Sequence, residues 1–401
     1  MRFSGFKVIK EALCGHKGWK ATWRDAAPKS HYDYIIIGGG GHGLATAYYL
    51  ARRYGKANIA VVEKGWLGGG NVGRNTTIIR SNYMLDGNEP FYELSLQLWE
   101  GLEQDLNYNA MVSQRGILNL FHTDAQRDAF IRRGNAMLLN GADADLLTTE
   151  QIKNRYPFLN TGDARFPIKG GLAQHRGGTV RHDAVAWGYA RAASLLGVDI
   201  IQNCEVTGID IKNNKCVGVI TTRGPIKGGK IACCVAGSSS RVMAMAGMRL
   251  PIESHVLQAF VSEGLKPLIP GVITFGAGHF YCSQSDKVVW YLAAILMVII
   301  PMHNAAICLL LKMSVKAAWR FCQIWGGYAY CECGAASWIC RWMGRQSLTK
   351  RQLKICILMG DGVMAVLRQR QHLACVTRIF WPPAIRMRQP RPIDLTALKE
   401  A

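Results

Sequence analysis

The sequence predicts an α/β fold, and three features of residues 31–65 carry that prediction. Residues 34–37 (YIII) form a short apolar, β-branched block that is typical of a buried strand. Residues 44–53 have the pattern of a helix, and Ile59–Val62 is a second apolar block. A strand, a helix and a strand of these lengths indicate a βαβ unit, in which the two strands are parallel.

A glycine-rich turn joins the first strand to the helix. Gly38, Gly40 and Gly43 fall on G-x-G-x-x-G, and Glu63 ends the second strand twenty residues beyond Gly43. The first glycine makes a tight turn, the second lets the backbone approach a pyrophosphate, and the third lets helix and strand pack closely. The helix N-terminus attracts the phosphates, and the acid accepts hydrogen bonds from ribose hydroxyls. The sequence therefore predicts a Rossmann-like dinucleotide-binding domain.

A second glycine-rich turn favours FAD over NAD as the dinucleotide. Residues 68–71 (GGGN) lead into RNTTIIRSNY at residues 74–83, directly after the strand that ends at Glu63. Hydroxyl and amide donors in such a turn suit the ribityl chain and the ring of a flavin. The alternative, a hydrophilic loop exposed to solvent, fits this position less well.

Several further runs of the chain resemble a known family. They are GGGGHGLATAYYLA, VVEKGWLGGGN, RNTTIIRSNY, SQRGILNL, RGGTVRHDAVAWGYARAA and GVDIIQNCEVTGI. These runs resemble the amine-oxidising flavoproteins related to D-amino-acid oxidase and, within them, the β subunits of heterotetrameric sarcosine oxidases. The resemblance extends from residue 1 to about residue 287.

The resemblance implies two flavins. One is a non-covalent FAD, and the residues implied in binding it are Gly38, Gly40, Gly41, His42, Gly43, Glu63, Lys64, Asn71, Arg74, Thr76, Thr77, Ile78, Arg80 and Val206. The other is FMN, joined covalently through its 8α-methyl group to the histidine of the RHDAVAW run, which is His182. Apart from the resemblance, a histidine that lies beside an acid at the start of a helix is more typical of a helix cap at the protein surface than of a flavin link. The resemblance names no catalytic or substrate-contacting residue in this chain.

The activity that the resemblance implies is the oxidative demethylation of sarcosine to glycine, with formation of hydrogen peroxide. It also implies a cytoplasmic β subunit that assembles with a larger α subunit and small subunits, without a nucleic-acid or membrane partner. Two alternatives stay open. One is another FAD-dependent amine or amino-acid dehydrogenase of the same fold, and the other is a non-catalytic remnant with a membrane-associated C-terminal segment.

The chain to residue 287 divides into an FAD-binding domain interleaved with an α+β substrate domain. We assign residues 31–90 and about 170–245 to the former, with a helix over 184–196 and strands around Ile200, Val217 and Ile231. Residues 91–169 and about 246–287 begin an incomplete substrate domain, with a helix near 93–106 and a strand over 116–121. Residues 1–30 form a basic extension without the apolar stretch of a secretory signal. Few, irregularly spaced cysteines in this part suit a reducing cytoplasm.

The composition changes sharply after residue 287. The last 114 residues hold 15 Lys and Arg against four acids, seven of the 13 cysteines and six of the 11 tryptophans, but only six of the 43 glycines. A membrane span over residues 288–311 is weakened by Pro301, His303 and Asn304. A zinc site at Cys331 and Cys333 lacks paired C-x-x-C spacing, and a nucleic-acid arm lacks interleaved aromatics.

An out-of-frame translation explains the whole of segment 288–401. Permissible codons can be assigned to these residues and read in the frame that starts at the third base of each codon. In that frame, residues 288–299 can yield GGLVFGGDLDG, residues 323–328 can yield NLGRV, and residues 360–374 can yield GWCYGGFKATPASG. The last run resembles the C-terminal flavin motif of the family. Three such matches, in one frame and in the family's order, predict an irregular C-terminal tail and a frame change near the codon for Lys287.

Overall fold

The fold is that of a computed structural model. It describes residues 4–19, 21–55, 57–82, 89–162, 166–264, 266–276, 280–285, 289–294, 330–340, 355–358 and 364–366. Within these ranges, every helix is too short or too polar to cross a bilayer. The predicted strand, helix and strand of the dinucleotide motif are all present.

Helices and strands alternate up to residue 195, and strands predominate after it. The helices are α1 Gly5–Leu13, α2 Gly41–Tyr54, α3 Glu89–Leu106, α4 Asp124–Leu139, α5 Thr149–Arg155, α6 His182–Leu195 and α7 Ser239–Ala244. The strands before α6 are β1 His31–Ile37, β2 Ile59–Val62, β3 Ile78–Ile79, β4 Ile117–Phe121, β5 Asp145–Leu147, β6 Gly170–Gln174 and β7 Gly178–Thr179. Those after it are β8 Asp199–Ile201, β9 Val206–Lys212, β10 Lys215–Thr221, β11 Gly224–Cys233, β12 Glu253–Gly264, β13 Val272–Phe275, β14 Phe280–Gln284, β15 Val289–Ala294, β16 Tyr330–Cys340, β17 Ile355–Leu358 and β18 Met364–Val366.

The first sheet contains the dinucleotide motif at its centre. Its strand order is β18-β17-β11-β1-β2-β8, with β10 and β9 added beside β11. Strands β11, β1, β2 and β8 are parallel, with Ile36 opposite Val61 and Ala232. The apolar side chains of β1 and β2 are buried because a parallel sheet is covered on both faces. The carboxyl ends of these strands therefore meet at one edge.

Helices α2, α3 and α6 cover one face of this sheet. Leu44 of α2, Ala186 of α6 and Leu96 of α3 belong to one buried cluster with Ile36. From its position in the sequence, α3 was predicted to belong to the substrate domain. We instead propose that α3 belongs to the FAD-binding domain, since its apolar stripe packs there.

The second sheet has the order β16-β12-β15-β14-β13-β4-β6-β5. Strand β4 runs parallel to β13 and antiparallel to β6. Because β6 pairs in this sheet, we propose that the second block of the FAD-binding domain begins after Gln174 rather than at residue 170. A two-stranded ribbon, β3 with β7, is paired separately from both sheets.

The described part of segment 288–401 consists of strands β15 to β18, which have three to eleven residues each. Strand β17 pairs in parallel with β11 of the first sheet, and β16 pairs antiparallel with β12 of the second. Most of the apolar run at residues 288–311, and the arginine-rich part after residue 340, lie outside the described residues.

The basic extension lies against the edge of the first sheet. Asp25 forms a parallel bridge with Ile200, and Arg24 and Lys29 both pair with the carboxylate of Asp199. Asp199 is 1% exposed, and its Oδ2 also accepts a hydrogen bond from Tyr32 Oη at 3.0 Å. One buried carboxylate therefore fastens the extension to strand β8.

We predict that Asp199→Ala lowers the free energy of unfolding by about 2 kcal/mol, because hydrogen bonds to a charged group contribute about 1.5–3 kcal/mol. Denaturant unfolding measures the change. The matched control is Asp128→Ala, since Asp128 pairs with Arg127 on the surface and its removal should cost less than about 0.5 kcal/mol. Equal stability of the two variants would contradict the fastening role of Asp199.

Candidate functional site

The glycine turn has the geometry that the sequence predicts. Gly38 has φ +104°, a backbone conformation that side-chain-bearing residues rarely adopt. A Cβ atom at Gly43 would lie 1.9 Å from the carbonyl oxygen of Gly38, so α2 packs against β1 at a distance that only glycine permits. At Gly40 a Cβ atom would meet only Val72 Cγ2, at 3.5 Å. Space therefore remains at the second glycine, where the motif brings a pyrophosphate.

The carboxylate of Glu63 lies at the carboxyl end of β2 and is half-buried. Its Oε2 accepts a hydrogen bond from the Gly39 N–H at 2.7 Å, and its Oε1 accepts one from the Gly65 N–H at 3.0 Å. These two contacts fix the side chain between the glycine turn and the following loop. The carboxylate is thereby held at the edge of the sheet where the motif places a ribose.

A cavity of about 470 Å3 opens at this edge of the sheet. It brings together nine of the predicted FAD-binding residues: Gly38, Gly40, Gly41, His42, Glu63, Lys64, Asn71, Arg74 and Val206. These come from the two glycine-rich turns, the end of β2 and the start of β9. The cavity therefore joins segments that lie more than a hundred residues apart in the sequence.

The cavity also contains residues that the sequence analysis did not name. Trp66, Cys204, Cys234, Ser238 and Arg241 line it. Arg241 Nη2 lies 3.4 Å from Glu205 Oε1, so an ion pair borders the cavity opposite the glycine turn. The signal for Cys234 was its position at the end of a strand that pairs beside β1. Arg241 gave no signal, since a basic residue on a short helix is common.

Six predicted residues do not line this cavity. Gly43 lies behind the turn in the helix–strand contact, and the other five are Thr76, Thr77, Ile78, Arg80 and His182. Thr76 Oγ1 is 2.6 Å from Tyr281 Oη, which joins the second turn to strand β14. Arg80 Nη1 donates to Asn82 Oδ1 at 3.3 Å.

Thr77 and His182 lie near each other through the backbone. The Val180 N–H donates to the Thr77 carbonyl at 2.9 Å, and Val180 precedes His182 by two residues. Thr77 has φ +69°, which is unusual for a β-branched residue. In the described part of the chain, Thr77 Oγ1 and His182 Nδ1 are both buried without a hydrogen-bond partner. Such groups are typical of positions that a ligand completes.

His182 is the first residue of α6, and Arg181 caps that helix. Arg181 forms a two-point ion pair with Asp183, at 2.7 and 2.9 Å, so the acidic neighbour is engaged by the arginine. Burial lowers the pKa of His182, which keeps its imidazole neutral at pH 7. A neutral imidazole has a nitrogen lone pair that is free to form a bond.

The residues present fit a bound FAD. Open space at Gly40, a helix N-terminus at α2 and the Glu63 carboxylate match the pyrophosphate and ribose of a dinucleotide. The unpartnered Thr77 hydroxyl supplies a donor beyond the second glycine-rich turn. The residues present therefore offer partners for a pyrophosphate and a ribose in the cavity, and an unpartnered hydroxyl outside it.

Comparison with known proteins gives a consistent picture. A family model described as FAD dependent oxidoreductase (DAO) matches residues 33–293. The chain is 67% identical over 287 residues to a sarcosine oxidase subunit beta of Rhizobium meliloti (strain 1021), covering 72% of this chain and 69% of that protein. It is 53% identical over 266 residues to a protein of the same name from an Arthrobacter species, covering 66% of each chain.

Solved structures share the fold at low identity. L-proline dehydrogenase from P. horikoshii superposes with a TM-score of 0.73 at 22% identity, covering 82% of this chain and 88% of that one. Glycine oxidase from Bacillus cereus gives a TM-score of 0.67 at 19% identity, with coverage of 82% and 89%. The predicted fold class is confirmed, and the chain belongs to the DAO family of FAD-dependent oxidoreductases.

Proposed function

We propose that the chain is the β subunit of a sarcosine oxidase and that its cavity binds FAD. The observation that carries this proposal is the 67% identity to a sarcosine oxidase subunit beta over 287 residues, a length equal to that of the chain before its composition changes. Because the chain covers about two thirds of such relatives, the substrate and the partners are inferred from their names. The proposed cellular location is the cytoplasm, and the proposed partners are a larger α subunit and small subunits.

The residues of the cavity have separate roles in this proposal. The Gly38–Gly40 turn and the first turn of α2 receive the pyrophosphate, and Glu63 accepts from the adenosine ribose. Val206, buried at the start of β9, packs against the adenosine. Asn71 and Arg74 of the second turn border the cavity on the route towards Thr77. Lys64 and Arg241 add positive charge near the phosphates.

When bound, FAD supplies the group that accepts a hydride equivalent from an N-methyl carbon. The protein must hold the methyl carbon of the amine against the ring and exclude water. The Thr76–Tyr281 contact joins the loop that leads into the β3–β7 ribbon to strand β14 of the second sheet. We infer that the amine binds on the second-sheet side of this contact.

We further propose that FMN is attached covalently to His182. The support is its buried, unpartnered Nδ1, the neutral ring that burial favours, and the Arg181–Asp183 pair that leaves the imidazole unengaged by the acid. The hydrogen bond from the Val180 N–H to the Thr77 carbonyl brings the loop after the second glycine-rich turn beside the start of α6. Two flavins attached at these two places would therefore be neighbours.

In the chain with its reading frame corrected near Lys287, which is the parent of this test, His182→Ala should remove covalent flavin and leave extractable FAD unchanged. On a denaturing gel under ultraviolet light, the parent band should fluoresce and the variant band should not. Asp183→Asn, which keeps the histidine, is the matched control and should retain the fluorescence. A fluorescent His182→Ala band would place the link elsewhere. No covalent flavin in the parent would favour another amine dehydrogenase of this fold.

We also propose that segment 288–401 is translated out of frame, so the activity requires correction of the frame near Lys287. The composition edge and the three hidden runs support this. The corrected chain, co-expressed with its larger subunit, should consume oxygen in the presence of sarcosine. No oxygen uptake with sarcosine, together with uptake on another N-methyl amine or an amino acid, would reject the substrate but keep the enzyme class.

A further inference from the structure

Helix α1 of the basic extension carries large apolar side chains that the rest of the described chain leaves uncovered. Phe6 is 89% exposed, Ile9 60% and Leu13 84%. Their spacing of three and four residues puts them on one face of the helix. An exposed apolar face of this kind is typical of a protein–protein contact.

The charge of the helix is entirely basic at its surface. Glu11 is its only acid, and this side chain is buried, with its Oε2 accepting a hydrogen bond from the Gly18 N–H at 2.8 Å. At about 100° per residue, Lys10 borders the apolar stripe next to Phe6, and Lys7 lies farther round the helix on the same side. Residues 1–30 contain seven Lys and Arg against two acids, a net charge of +5. A partner surface for this helix should therefore be apolar at its centre and acidic at its rim.

The position of the helix on the body is defined by the contacts that follow it. Arg24 and Lys29 pair with Asp199, and the Arg24 N–H donates to Ser194 Oγ at 3.1 Å. A segment of about ten residues therefore connects the helix to a fixed point on strand β8 and helix α6. Attachment at one place favours a partner with a matching groove over a lipid surface, which needs no fixed position.

We propose that α1 is a docking helix whose apolar face inserts into an acidic-rimmed groove of the larger α subunit. This inference rests on the proposed assembly. It is independent of the flavin site, because α1 and the cavity residues do not overlap. The basic extension then serves two roles, with Asp199 holding its base and α1 making the contact.

The test compares two triple variants of the full frame-corrected chain for binding to the purified larger subunit. Phe6→Ser/Ile9→Ser/Leu13→Ser removes the apolar face of α1. Leu138→Ser/Leu139→Ser/Leu195→Ser removes apolar side chains of similar exposure elsewhere and is the control. We expect the first variant to bind at least about tenfold more weakly, as is usual for buried anchor residues, and the control to bind like the parent.

Flavin content and thermal unfolding of both variants should equal those of the parent, which separates docking from folding. Lys7→Glu/Lys10→Glu should weaken the complex and reduce its dependence on salt. Unchanged binding of the α1 variant overturns the proposal. The proposal is also overturned if the α1 variant loses binding to phosphatidylserine vesicles while its complex with the larger subunit is unchanged, because that result would assign the helix to a lipid surface. If the parent itself fails to bind the larger subunit, the assembly proposal fails, whereas FAD binding by the chain stays intact.

Discussion

Gly40→Val is expected to prevent FAD binding while leaving the fold intact. In the protein, a Cβ atom at Gly40 would make only an ordinary contact with Val72, and the backbone there has φ −81°, which valine accepts. The side chain would instead occupy the space of the pyrophosphate. Overpacking costs about 1–3 kcal/mol, which corresponds to a loss of FAD affinity of about 5- to 150-fold, and this is the least that we expect. Titration followed by flavin fluorescence measures the loss.

Two further glycine variants make the result specific. Gly101→Ala lies in α3, where a Cβ atom meets nothing within 4 Å, so both FAD affinity and stability should be retained. Gly43→Ala should lose stability as well as FAD, because its Cβ atom would overlap the Gly38 carbonyl. Full FAD binding by Gly40→Val would show that the pyrophosphate does not pass over this turn.

Correction of the reading frame near Lys287 is expected to convert an inactive chain into one that oxidises sarcosine. The corrected segment would contain GWCYGGFKATPASG, a glycine-rich run in place of a basic one that is rich in cysteine and tryptophan. In the family that the chain resembles, such a turn closes over the FAD. Sarcosine-dependent oxygen uptake should rise from background to a saturable rate.

Limited proteolysis of the two forms gives an independent measurement. Segment 288–401 as translated should be removed readily, since a basic, cysteine-rich segment with few glycine turns is poorly suited to complete either sheet. The corrected segment should resist the protease. A resistant segment, or sarcosine turnover with two flavins by the chain as written, would contradict the out-of-frame hypothesis. The experiment is necessary because β16 pairs along its length with β12 of the second sheet and β17 pairs with β11 of the first.

Local signals predicted the dinucleotide motif almost completely. The second strand was predicted with its observed bounds, and the first strand and the helix were predicted within a few residues, because glycine turns and apolar blocks are read from adjacent residues. Glu63 was placed at the end of β2 for the same reason. The helix over 184–196 and the strand over 116–121 were likewise predicted within two residues at each end.

Long-range contacts could not be predicted in this way. The packing of α3 depends on which sheet its buried leucines contact, and that contact is not local in sequence. The pairing of β6 with β4 likewise joins residues about fifty positions apart. The Asp199 contact with Arg24 and Lys29 joins residues about 170 positions apart. Neither propensity nor spacing carries such information. Arg241 was missed for the same reason, because it lines the cavity together with residues about 200 positions earlier in the sequence.

The predicted FAD-binding residues illustrate both what local signals can predict and what they cannot. Residues close to the glycine turn in sequence or on the neighbouring strand line the cavity, whereas residues 76–80 turn away along the β3–β7 ribbon towards Tyr281 and Asn82. Sequence alone could not separate these two groups. Thr77, whose backbone has φ +69° and whose hydroxyl has no hydrogen-bond partner in the described part of the chain, lies near the start of the second group.

The most direct test of the account is a titration of the frame-corrected chain with FAD in the presence of excess NAD+. We predict saturation at one FAD per chain, no displacement by NAD+, and loss of binding in Gly40→Val but not in Gly101→Ala. Displacement of FAD by NAD+, or the absence of saturable FAD binding by a folded chain, would contradict the assignment of the cavity to FAD.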